Sequence, residues 1–345
     1  MKHFVSRCIL SSVFATYFVF AASPMQSRKN INADTPLFSS KAECVIELSS
    51  RRVLYEEHGD TRLPMASTTK ILTCATVLES CQDIEKELTI PEEAVGIEGS
   101  SVYLKAGESY SVKDLLYGLM LRSGNDCATA LALYCSGSIA NFSAEMNKLA
   151  QKAGALNSHF ENPHGLPSNN HYTTARDLSY ITAYAMQYPT FCDIVSTKHY
   201  EKKGWKNKNK LLSSYEYALG VKTGYTKAAG RCLVSAAKKG EMTLICTVLH
   251  CQNMYERSMQ LLEDAFANYQ YTKLVSAGER IKIGNSSMIG VVRQDYYYPL
   301  LDGEKEGIEI HTKTCENAYQ NDEIIGEFEI YLSKRLLFSG NLYKL

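Results

Sequence analysis

Ser67-Thr68-Thr69-Lys70 follows Pro64 at the head of a stretch with helical spacing. At an interval of three, two helical side chains emerge on one face, one turn apart, so a hydroxyl and an amine converge. Serine is a poor nucleophile unless a base stands within hydrogen-bond reach, and a lysine amine that is partly desolvated near another cation can fall in pKa enough to take the proton. The start of a helix also favours negative charge developing near Ser67. The motif alone is weak, since about one such match is expected by chance in a chain of this length. Ser235-Ala236-Ala237-Lys238 is a second copy, but it sits in a strand pattern, where a spacing of three sends the two side chains to opposite faces. That copy reads as structural.

Ser123-Gly124-Asn125 lies between two helical stripes and gives a loop-borne hydroxyl and amide that could relay a proton and grip a peptide backbone. An identical Ser339-Gly340-Asn341 falls in a β-rich region, where a strand end or turn is the ordinary reading. Lys222-Thr223-Gly224 ends an apolar strand. Its lysine offers a point charge, its threonine a hydroxyl, and its glycine room for a substrate to approach the backbone.

The elements that must hold these groups are legible from periodicity. Cys44-Val45-Ile46 and Val53-Leu54-Tyr55 flank Ser49–Arg52 as two strands around a turn. Helical stripes follow: Ile71, Ala75 and Leu78; Leu115, Leu116 and Leu119 after the cap-like Ser111-x-x-Asp114; Phe142, Met146 and Leu149, closed by Gly154; and Leu178, Ile181 and Ala185 after Thr174-x-x-Asp177. Strand signals return at Leu219–Thr223, Cys232–Ala237 and Met242–Leu249, and Met259, Leu262 and Phe266 mark a closing helix. The expected fold is α/β (α+β), an antiparallel sheet with a helical cluster over residues 41–270. From about Tyr271 the helical period vanishes, and Ile281/Ile283, Ile308/Ile310 and Phe328/Ile330/Leu332 alternate with polar residues, which predicts a small all-β domain over 271–345.

Length and composition narrow the class further. A chain of 345 residues exceeds one ordinary domain, and 37 basic against 37 acidic residues leave no net field to draw in nucleic acid or a membrane surface. Lys2 and Arg7 precede a largely apolar, uncharged run from Cys8 to Ala22 with Val19-Phe20-Ala21 as a small-x-small cleavage site. Residues 1–22 therefore read as an export signal, cleaved or kept as an anchor, and 23–40 as a polar tether. The chain is expected in an extracytoplasmic space: secreted, periplasmic or in the cell wall. Eleven cysteines in an exported chain could mean a disulfide framework, but such frameworks belong to short chains without a core. Cys74, Cys135, Cys232 and Cys246 sit in apolar periodic segments and are expected as free, buried thiols. Neither the cysteines nor the scattered histidines have zinc-ligand spacing.

The three short motifs, in this order and these contexts, are the signature set of penicillin-binding proteins and serine β-lactamases. From about Lys41 to Leu345 the chain resembles a low-molecular-weight penicillin-binding protein of the D-Ala-D-Ala carboxypeptidase family, through these motifs and through Glu98-Gly99-Ser100-Ser101, Asn162-Pro163-His164-Gly165-Leu166, His171–Asp177 and Gly220–Gly224. The resemblance implies a penicillin-binding/serine β-lactamase-like catalytic domain and a β-rich C-terminal domain. It implies that Ser67 attacks the carbonyl between two D-alanines, that Lys70 takes its proton and that Ser123 helps protonate the departing D-alanine. Asn125 would hold the peptide amide, Lys222 and Thr223 the terminal carboxylate, and the backbone N–H groups of Ser67 and of Tyr225, the residue after Gly224, would form the oxyanion hole. The implied partners are a peptidoglycan stem peptide ending in D-Ala-D-Ala and β-lactams as covalent inhibitors; no cofactor is implied.

Where some relatives carry an arginine for the carboxylate, Met254 stands here, and Arg257 and Arg231 are the possible substitutes. Lys334–Leu345 reads as a final strand or hairpin in place of the family's C-terminal amphipathic anchor. A serine β-lactamase is the nearest rival, but Glu161-Asn162-Pro163 lacks that family's Glu-x-x-Leu-Asn spacing. A non-catalytic sensor on the same fold would show a damaged serine or lysine, and both are intact. His164 and His171 are expected to brace their loop, and Lys202–Lys210 with Trp205 to be a solvated loop.

Overall fold

The computed structural model describes residues 40–314 and 323–345. The expected signal at 1–22 and all of the tether at 23–40 except Ser40 lie outside them. The described chain forms two compact units that divide between Tyr271 and Thr272.

The larger unit is built on a five-stranded antiparallel sheet. Strands β1 (Ala42–Glu47) and β2 (Val53–Glu57) form one side of it, followed in space by Met242–Leu249, Gly230–Lys239 and, at the far edge, Ala218–Thr226. β1 enters next to a strand two hundred residues later in sequence, so the sheet is closed by pairing Cys44 with Thr247 and Val45 with Cys246. Neighbouring residues of a strand face opposite sides. Glu43 accordingly reaches the helix Met254–Asn268 through Arg257, whereas Thr247, opposite Cys44, shares a hydrogen bond of 2.8 Å with Ser179 of helix α5 (Ala175–Ala185).

Helices α1 (Lys70–Ser80), α2 (Val112–Tyr117), α3 (Asn125–Ser136) and α4 (Ile139–Lys152) share one core with that sheet, through Ile71, Cys74, Leu115, Leu131, Phe142 and Leu178 among others. The caps are those expected: Ser111 Oγ accepts from Asp114 N and Thr174 Oγ1 from Asp177 N, each at 3.0 Å. Helix α3 carries no amphipathic stripe because its first eight residues, Asn125 to Ala132, are all buried. The sequence pattern therefore passes over it.

Two local departures matter for the site. Ser67 does not open an α-helix but lies in a 3₁₀ turn, Ala66–Thr69, that runs into α1. Side chains three apart eclipse in that geometry, which stacks Lys70 over Ser67 more closely than an α-turn would. The loop expected to hold Ser123-Gly124-Asn125 shrinks to two residues: a π-turn at Gly118–Arg122 ends in Ser123, left-handed at φ +65, and Asn125 is already the first residue of α3.

Residues 272–345 carry a second, all-antiparallel sheet in the order Arg280–Lys282, Ile289–Val291, Arg335–Tyr343, Ile324–Leu332, Ile308–Thr314. Its core includes Ile283, Phe328, Ile330 and Leu342. Ile310 departs from the expected alternation and is exposed, on a strand at the edge of the sheet. Ser339-Gly340-Asn341 lies within the strand Arg335–Tyr343, where a Cβ on Gly340 would stand 2.5 Å from the Tyr296 hydroxyl oxygen. Packing, not chemistry, explains that glycine.

The nine described cysteines are all free thiols. Cys74, Cys232 and Cys246 are buried as expected, and Cys135 is half-buried.

Candidate active site

Ser67, Lys70, Ser123, Asn125, Lys222 and Thr223 come from three segments far apart in sequence, and hydrogen bonds join all six in two clusters of three. Lys70 Nζ lies 3.0 Å from Ser67 Oγ, 2.6 Å from Asn125 Oδ1 and 2.6 Å from the carbonyl oxygen of His164. Lys222 Nζ donates to Ser123 Oγ at 3.1 Å and to the carbonyl of Thr223 at 2.8 Å. Both lysines are buried, whereas Ser67 and Thr223 are partly exposed.

Burial, and after it the charge of Lys222, holds the Lys70 amine well below the usual lysine value. Burial, and then Lys208, pushes Lys222 down to about 7. Such desolvated, mutually repelling amines mark a functional site more readily than a structural one.

Backbone placement explains the glycines. Gly224 lies against the turn carrying the serine, and a Cβ there would stand 2.9 Å from Met65 O and 3.1 Å from Ser67 N. Tyr225, its neighbour, is exposed and pairs across the sheet with Arg231. Gly165 sits behind the serine at φ +89, and a Cβ there would come within 1.9 Å of the Ala66 carbonyl oxygen. Ala66 is itself left-handed at φ +50. Left-handed non-glycine residues at both Ala66 and Ser123 place backbone strain beside both hydroxyls, a pattern typical of functional sites.

Several contributors have no signal in the motifs. His164 braces its loop as expected, its ring Nδ1 accepting from Leu166 N at 3.3 Å, and it also meets Lys70 through its carbonyl. Asp126, buried in the first turn of α3, accepts from Ser101 Oγ at 2.5 Å and from Val102 N and Leu104 N at 3.0 and 3.1 Å, fixing the loop whose Glu98 carbonyl accepts from Asn125 Nδ2 at 2.5 Å. Lys208 Nζ reaches Ser100 Oγ at 3.1 Å. The segment 202–210 is thus not simply a solvated loop: Lys202 and Lys203 pair with Asp114 at 3.0 and 3.5 Å, and Trp205 lies under Gly118. Only its acid-base partners, not its composition, reveal this.

The remaining expectations sort plainly. His171 is a brace: Nδ1 accepts from Glu161 N at 3.0 Å and Nε2 donates to Thr69 Oγ1 at 2.9 Å. Arg257 is engaged with Glu43, at 2.8 and 2.6 Å, and Met254 is buried. The Glu161 carboxylate is held inside its own loop by Ser168 Oγ and Asn170 N. Ser235 is buried in its strand while Lys238 is exposed. Among the described residues no group of three or more metal-ligating side chains gathers, and no helix is long and apolar enough to cross a membrane.

A buried lysine beside the serine of a strained turn, with a second buried lysine on the edge strand of the antiparallel sheet, sits on a fold of the penicillin-binding class. Residues 29–253 match the family model for D-alanyl-D-alanine carboxypeptidase, and the chain belongs to that family of serine hydrolases, the low-molecular-weight penicillin-binding proteins. It is 31% identical over 295 residues to D-alanyl-D-alanine carboxypeptidase DacF of Bacillus subtilis, covering 81% of this chain and 75% of that one. Over 266 residues it is 36% identical to a D-alanyl-D-alanine carboxypeptidase of a Streptomyces species, covering 70% and 91%. Penicillin binding protein 5 from Haemophilus influenzae superposes with a TM-score of 0.74 at 28% identity, over 90% of this chain and 98% of that one.

Proposed function

We propose that this enzyme removes the terminal D-alanine from peptidoglycan stem peptides through an acyl-enzyme on Ser67, in an extracytoplasmic space, and that β-lactams acylate the same oxygen. The observation that carries the reading is the set of contacts around Lys70. A neutral amine has two N–H donors and one lone pair. Asn125 Oδ1 and the His164 carbonyl, which can only accept, take the two donors, and the lone pair is left to Ser67 O–H at 3.0 Å.

Ser67 Oγ then attacks the carbonyl carbon between the two D-alanines while its proton passes to Lys70 Nζ. The developing oxyanion is met by the N–H groups of Ser67 and Tyr225, beside which Gly224 leaves the space. Collapse breaks the C–N bond, and Ser123 Oγ, 3.1 Å from Lys222 Nζ, gives its proton to the departing amine and takes up the one held on Lys70, which is neutral again. Water then attacks the ester carbonyl while the neutral Lys70 takes its proton, and the C–O bond to Ser67 breaks as Lys70 returns that proton to Ser67 Oγ. Asn125 holds the peptide amide, and Lys222 with the Thr223 hydroxyl holds the terminal carboxylate, a charge that selects chain ends.

D-Alanine release is measured from a peptide ending in D-Ala-D-Ala and from its C-terminal amide. The acid is turned over and the amide is nearly silent, because a desolvated Lys222 that loses its charged partner costs about 2–5 kcal/mol. Equal turnover of the two contradicts the exopeptidase assignment.

A further inference from the structure

Beside the segment that carries Ser123, Ser101, Tyr103, Arg122, Trp205 and Lys206 line a cavity of about 270 Å³. Its walls continue the segments that build the active site. Arg122 directly precedes Ser123, Asn125 N donates to Ser100 O at 2.7 Å, and Lys208, two residues beyond Lys206, reaches Ser100 Oγ. The cavity therefore adjoins the segments that carry Ser123 and Asn125.

Its chemistry is cationic and aromatic. Arg122 Nη1 donates to the Lys206 carbonyl at 3.2 Å, which leaves the rest of the guanidinium fork available. Among the described residues Arg122 and Lys206 join no ion pair, whereas Lys202 and Lys203 of the same segment both face Asp114. Burial, and after it the charge of Arg122, pushes Lys208 down, as expected where cations gather without a counter-charge. Tyr103 is 83% exposed and held at φ +65. Ser101 Oγ accepts from Tyr103 N at 2.8 Å and is itself tied to Asp126, so the left-handed turn that presents the ring outward is fixed from behind. A large ring kept in solvent in a strained conformation is a feature that a bound partner would explain.

We infer that this cavity is a subsite for a carboxylate carried by the peptide on the N-terminal side of the scissile bond, with Arg122 as its anchor and Tyr103 and Trp205 as its apolar walls. The inference rests on the reaction proposed above. A planar guanidinium fork matches a carboxylate bidentately, and the cavity has room for about one side chain.

The test compares D-alanine release from two pairs of N-acetylated tetrapeptides ending in D-Ala-D-Ala, in which glutamate is exchanged for glutamine at the third or at the fourth residue from the C-terminus. In at least one pair the wild-type enzyme favours glutamate roughly tenfold in kcat/KM, and Arg122→Gln brings that ratio close to one. If Arg122→Gln does not fold, Lys206→Gln, at an exposed position, must lower the same ratio severalfold. Equal turnover within both pairs by the wild type, or an unchanged ratio in the folded variants, overturns the subsite while leaving the carboxypeptidase reading intact. Release from none of the four peptides overturns both.

Discussion

Lys70 Nζ stands 3.0 Å from Ser67 Oγ and is fixed there by two acceptors, Asn125 Oδ1 and the His164 carbonyl, each at 2.6 Å. In the proposed mechanism this anchoring makes the lysine a positioned base and not merely a neighbouring charge. Lys70→Met keeps most of the side chain's volume and removes the base, so acylation by a β-lactam slows by ~10²–10⁴ while the thermal transition remains cooperative. Acylation within a few fold of wild type in that variant would move the base elsewhere.

The two lysines give the pH profile opposite limbs. In the proposed mechanism Lys70 works deprotonated, and burial, with the charge of Lys222 after it, shifts that form to lower pH than an ordinary lysine allows. Lys222 works protonated and in the free enzyme loses its proton near 7. The profile of kcat/KM, which reports the free enzyme, therefore falls as pH rises through about 7, and that of kcat falls at higher pH because a bound carboxylate retains the proton on Lys222. Coincident falling limbs for the two parameters would remove Lys222 from carboxylate binding.

What the sequence makes legible depends on how local the cause is. Capping at Ser111 and Thr174, the strand alternation and the convergence of Ser67 with Lys70 are settled within a few residues, and they read directly. Helix α3 does not, because complete burial of its first two turns erases the period that betrays a helix. The roles of the His164 carbonyl, Asp126 and Lys208 depend on contacts across 94, 24 and 108 residues of chain, for which no short motif exists. Arg257 shows the converse: a plausible cation in sequence whose carboxylate partner, Glu43, lies 214 residues away.

His171 links the site to stability in acid. Burial holds its imidazole at about 4, against an ordinary 6.5, and the Nδ1 that would take the proton already accepts from Glu161 N. Between those values the unfolded chain binds more protons than the folded one, so this contribution is complete above about 6.5 and is lost as pH falls toward 4. The shift corresponds to about 3 kcal/mol at most. Urea unfolding of the wild type between pH 7.5 and 4.5 shows that decline, and His171→Gln, less stable at pH 7.5, shows a shallower one. Parallel pH dependences in the two proteins would assign the acid sensitivity to other groups.

The most direct measurement is to trap the enzyme with a labelled penicillin and map the modified peptide by mass spectrometry. The strained lactam mimics the bond between the two D-alanines, so a single adduct falls on Ser67, and Ser67→Ala folds normally but carries none. An adduct on Ser235, the serine of the second Ser-x-x-Lys copy, or labelling retained in Ser67→Ala would contradict the acyl-enzyme account.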